Sequence, residues 1–213
     1  MNVDVWGRFE AMLQMHAPAL LAVLNPPASE KQIAEAEAAM NVTFPEEIRA
    51  AYLRHDGTSH DEATGATCLF FYPMNWWASL SEMVYYWHHC VRVSESLRAN
   101  DPNGFFPTQE PWWDDLKVRP VWWSEKWIPI GLSGTATSVY FDLAPAKQGS
   151  IGQLINDDGM QDPQWIANSL NHYLETLIDR VERGVVVFGE GWQLADPDQS
   201  LYGASNFDWN HPP

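Results

Sequence analysis

The stretch Phe44-Pro45-Glu46-Glu47-Ile48-Arg49-Ala50-Ala51-Tyr52-Leu53-Arg54-His55-Asp56-Gly57 decides how this chain folds. Proline presets φ and lacks an N–H that a helix start would leave unused, so the sequence predicts a helix opening at Phe44-Pro45 with Pro at its first position. Ile48, Ala51 and Tyr52 recur three and four residues apart and therefore share the inner face. Asp56-Gly57 is turn chemistry and closes the helical opening of the chain. On the N-terminal side, Trp6, Phe9, Leu13, Leu20, Leu21 and Leu24 keep a roughly helical period that Pro18 breaks and Asn25-Pro26-Pro27-Ala28 ends. Ser29 and Gln32 form a capping box, and Ile33, Ala36 and Met40 make the inner stripe of a short helix stopping near Asn41.

Beyond Gly57 the period changes. Cys68-Leu69-Phe70-Phe71-Tyr72 is short and aromatic and reads as a buried strand. Ser79 and Glu82 form a second capping box, followed by Leu80, Met83, Val84, Trp87 and Val91 at helical spacing, which predicts a helix to about Arg98. Residues 100–126 hold four prolines and paired tryptophans without a period. Such a long irregular excursion is uncommon in a compact domain and tends to carry function. Trp127 to Gly131, Ser138 to Leu143 and Ile151 to Ile155 are short runs punctuated by Gly, Pro or Asp, as consecutive antiparallel strands are. Asp162-Pro163 is expected to start the last helix, with Ile166, Leu170, Tyr173, Leu174, Leu177, Ile178 and Val181 as its apolar stripe and Gly184 as its stop. Val185 to Phe188 is a possible edge strand, and loop-type residues follow.

Charge bounds the function. Twenty-eight acidic against 12 basic residues leave a net charge of -16, which repels nucleic acid and anionic membrane and attracts basic partners. Of 12 tryptophans, seven sit in two groups, Trp76-Trp77 and then Trp112-Trp113, Trp122-Trp123 and Trp127. Tryptophan is enriched at the energetic centres of interfaces, so an acidic, indole-rich surface suits capture of a positively charged protein. The expected docking segment is Trp112, Trp113, Asp114 and Asp115, with Trp122, Trp123 and Glu125 close in sequence. The alternative is that these indoles fold back over the sheet. Cys68 and Cys90 have no metal-type spacing and read as reduced core residues. The first residues carry no signal or transit pattern, and no run approaches the ~20 apolar residues of a membrane span, so a cytoplasmic location is expected.

Catalytic readings find little support. His55-Asp56, His60-Asp61-Glu62 and His88-His89-Cys90 hold zinc-type ligands, but adjacent histidines on a helix point about 100° apart. Ser133 lacks the glycine two places on that a nucleophile elbow needs. No phosphate-cradling loop occurs, and Asp157-Asp158-Gly159 lacks calcium-loop spacing. The expectation is a protein that is not an enzyme and holds neither cofactor nor metal.

In order along the chain, Ala28 to Glu37, Phe44 to Gly57, Trp127-Ile128-Pro129-Ile130-Gly131, Tyr140 to Pro145 and Gly149 to Ile155 resemble the SUKH superfamily, in the domain type shared with the fungal Smi/Knr cell-wall-assembly regulators. The resemblance covers residues 28–184. It implies an α+β fold, a curved and mostly antiparallel sheet backed by helices, with a helical extension over 1–27, an insertion at about 100–126 and a tail over 185–213. It also implies binding without catalysis: a bacterial immunity protein that neutralises a cognate toxin, or alternatively a regulatory scaffold; the acidic, indole-rich composition points to a basic nuclease-type effector as that toxin.

Overall fold

The computed structural model describes residues 4–59, 70–71, 75–99, 114–134, 137–157, 162–189 and 191–195. Four helices come first: α1 (Val5–His16), α2 (Pro18–Ala22), α3 (Glu30–Met40) and α4 (Glu46–Arg54). Pro18 separates the first two, at the first position of α2, where it starts a helix and cannot continue one. The Ser29–Gln32 box is complete at the head of α3, and Asn41 ends that helix in the left-handed region at φ 51°. Ile33, Ala36 and Met40 are its buried residues, as the spacing predicts. Helix α4 buries Ile48, Ala51 and Tyr52, but Pro45 is its N-cap and Glu46 its first residue, one place later than expected.

Strand β1 (Trp76–Trp77), helix α5 (Leu80–Ala99) and strands β2 (Trp127–Leu132), β3 (Ser138–Asp142), β4 (Gln153–Asp157) and β5 (Gln164–Ala167) follow. The five strands lie in the order β1-β2-β3-β4-β5 with every pairing antiparallel, so the fold is α+β. All residues of β2 and β3 are buried, so the central strands are covered on both faces. Double coverage explains the continuous apolar run of β2 and the Val139-Tyr140-Phe141 centre of β3.

The structure bears on one expectation in part and corrects a second. Of the strand expected at Cys68 to Tyr72, the described Phe70 and Phe71 are buried, but Phe71 makes only an isolated bridge to Asn75. Cys68, Leu69 and Tyr72 lie outside the described residues. Among the described residues of this part of the chain, the strand is the tryptophan pair of β1. Helix α6 (Leu170–Glu182) begins eight residues after Asp162, because Gln164 to Ala167 pair with β4. Trp165 and Ile166 are strand formers, and the acceptor that starts α6 is Ser169, whose hydroxyl takes the His172 N–H at 3.1 Å. Glu47 of α4 adds a second cap from across the fold, accepting the Asn171 N–H at 2.6 Å.

Both flanks join the same core. Phe9 and Leu13 of α1 are fully buried among residues of α4, α6 and the sheet, each contributing about 2–3 kcal/mol of apolar burial. Arg54 of α4 grips Glu10 of α1 with two hydrogen bonds of 2.6 and 2.7 Å. After α6, strands β6 (Val186–Phe188) and β7 (Trp192–Leu194) form a small second sheet. Trp192 is 1% exposed and its indole N–H donates to the Phe70 carbonyl at 3.1 Å. The edge strand expected at Val185 to Phe188 thus has a partner in what the sequence reads as loop. Residues 196–213 lie outside the described part.

Candidate partner-binding site

Two clamps, built from residues of the sequence motifs, hold the surface on which partner-binding residues are expected. The first gathers on the corner between β1 and α5. The Tyr52 hydroxyl donates to the Ala78 carbonyl at 2.8 Å, and the Thr58 N–H donates to Trp77 at 2.9 Å. Asp56 accepts the Leu80 N–H at 2.8 Å, capping α5 beside the Ser79–Glu82 box. Burial raises the Asp56 pKa; the Leu80 hydrogen bond opposes this and the Glu82 charge adds to it. Gly57 stands at φ +73°, and a Cβ there would lie 2.6 Å from the Ser79 nitrogen. The Asp-Gly pair therefore serves as helix cap and close-packing point.

The second clamp joins the end of the 100–126 excursion to the loop between β3 and β4. The Ala146 and Gln148 N–H groups donate to the carbonyls of Lys117 and Leu116 at 3.1 and 2.9 Å. Gln153 donates through its side-chain amide to Lys117 O and to the Asp142 carboxylate, both at 2.9 Å. Asp142 is fully buried; burial raises its pKa, while the Ala144 N–H, Gln153 and the Arg119 charge oppose the rise. Gly149 packs so closely on Lys117 O that a side chain at this position would collide with it.

On this support the expected site residues separate. Asp114 pairs with Lys147 at 2.6 Å, and Asp115 and Glu125 are exposed. Trp122 is half-buried and packs on the core. Trp123 is 3% exposed and meets Trp87 of α5 edge to face at 6.0 Å, so it holds the surface from beneath. The Trp87 indole N–H donates to the Glu125 carbonyl at 3.1 Å, fixing the excursion to α5. Trp112 and Trp113 lie outside the described residues. Acidic Asp114, Asp115 and Glu125 are matched in number by Lys117, Arg119 and Lys126, and Lys117 sits 3.6 Å over the Trp165 ring. Segment 114–126 is thus charge-balanced, and the net negative charge of the chain arises elsewhere. Beside Lys126 an open depression of about 300 Å³ is lined by Glu37, Ala38, Asn41, Val42 and Thr43.

The other singled-out residues have structural occupations. His55 bridges the Asn25 carbonyl and Glu10 at 3.0 and 2.9 Å. His88 and His89 are exposed on α5, and Cys90 is buried with its thiol pushed up to about 11 by burial, which keeps it protonated and unreactive. The Ser133 hydroxyl donates to the Thr137 carbonyl at 2.7 Å, as turn formation requires. Asp157 ends β4, while Asp158, Gly159, His60, Asp61 and Glu62 lie outside the described residues. Among the described residues no three potential metal ligands come together, and no helix is long and apolar enough to cross a membrane. Glu47 and Gln153 stand inside the quoted motifs, but sequence reasoning gave neither a role, because the backbone groups they hold, Asn171 N–H and Lys117 O, are distant in sequence.

Known proteins align over almost the whole chain. It is 23% identical to the cell wall assembly regulator SMI1 of Saccharomyces cerevisiae, over 92% of this chain and 42% of that protein. KNR4/SMI1 homologs of Yarrowia lipolytica and Kluyveromyces lactis are 23% and 21% identical, over 92% and 90% of this chain and 32% and 44% of theirs. The chain thus spans less than half the length of these relatives. The model of the SMI1 / KNR4 family (SUKH-1) matches residues 27–176, which hold both clamps and the excursion, and the chain belongs to that family.

Proposed function

We propose that this chain is a non-catalytic docking protein of regulatory type, which holds a partner macromolecule and leaves its covalent bonds intact. One observation carries the reading: similarity to fungal proteins, one of them named a cell wall assembly regulator, runs over 92% of the chain and so past residues 27–176 at the flanks. The shared unit therefore includes α1 or the segments after α6, the parts that the family model leaves out. Support also comes from the site chemistry. Buried Asp142, half-buried Asp56 and the buried Cys90 thiol serve packing and capping, and the exposed groups form a rigid, mixed-charge surface suited to contact.

A second reading is favoured by the net charge of -16: an immunity protein that neutralises a basic toxin, drawn in by electrostatic steering. Co-expression with the product of the adjacent gene distinguishes the two. A stable complex that leaves the partner active supports regulation, and a complex that rescues growth from a toxic partner supports immunity. Turnover of a small molecule by the purified chain, abolished by replacing a single His or Ser, would refute both.

A further inference from the structure

We draw no further inference here: the strongest candidate, the open depression between the end of α3 and Lys126, carries nothing, because Glu37 is already held by Arg49 and the Phe44 N–H and nothing in the structure shows what ligand the rest of its lining would take.

Discussion

Replacing Glu10 by Gln tests whether α1 is part of the folded domain or an appendage to it. Arg54 holds the Glu10 carboxyl from 4.5 down to about 2, mainly through its paired N–H donors; burial opposes this and the His55 hydrogen bond adds to it. A depression of that size corresponds to a ceiling of about 3 kcal/mol. The side chains of Glu10 and Arg54 are 27% and 35% exposed, so solvent screens the pair and about 1 kcal/mol is the expected contribution. Because the folded-state pKa lies below the unfolded one, the stabilisation is complete above about pH 4.5 and is lost as pH falls towards about 2. Urea unfolding of wild type and Glu10→Gln between about pH 7 and pH 3.5 measures it. The two proteins should differ by about 1 kcal/mol at neutral pH, with the gap shrinking by roughly a third to a half at pH 3.5. A gap that stays constant with pH, or no gap at pH 7, would refute the assignment of the Glu10–Arg54 pair as the tether of α1.

Gly57→Ala should cost more than about 1 kcal/mol, seen as a lower urea midpoint at unchanged slope, because the new Cβ meets the Ser79 backbone in a left-handed conformation. Trp123→Ala should cost about 3–5 kcal/mol by the same measurement, since the indole fills the space against Trp87; a well-folded variant altered only in partner binding would place Trp123 in the interface after all. A chain ending at Gly184 removes Trp192 and should lose cooperative unfolding or several kcal/mol of stability, whereas full stability would show the β6–β7 hairpin to be dispensable. Asp114→Lys combined with Asp115→Lys should change stability by less than about 1 kcal/mol but slow partner association and weaken its salt dependence. Unchanged kinetics would remove this segment from the docking surface.

Legibility in the sequence followed the range of the forces involved. Capping and helical burial act over three or four residues, and α3, α4 and the head of α5 stand where their spacing puts them. The start of α6 was misplaced because Asp162-Pro163 has the chemistry of a helix start, yet pairing of Gln164 to Ala167 with β4 claims those residues first. Trp192 looked like loop for the opposite reason: its burial depends on Phe70, which lies far away in sequence. The tryptophan pairs were ambiguous in principle. An indole that anchors a partner and one that anchors a sheet have the same composition, and only placement separates exposed from buried. Trp77, Trp123 and Trp127 fall in the core, so the frequency of tryptophan reports the packing of this fold before it reports a partner.

The residues that mark the family are mostly occupied in holding backbone to backbone. Tyr52, Asp56 and Gly57 fasten the first helical layer to the start of α5, and Asp142, Gly149 and Gln153 fasten the excursion to the sheet. A side chain whose donors and acceptors are consumed inside the fold has little left with which to discriminate among partners. On the docking function proposed above, selectivity would reside on what the two clamps display. One clamp sets α5, with Tyr85 and Arg92 on its free face, and the other sets the segment carrying Asp115 and Glu125. Helix α5 and that segment are joined by the hydrogen bond from the Trp87 indole N–H to the Glu125 carbonyl. Weakening the Trp87–Glu125 link should therefore loosen the 114–126 segment on α5 while leaving the rest of the fold intact.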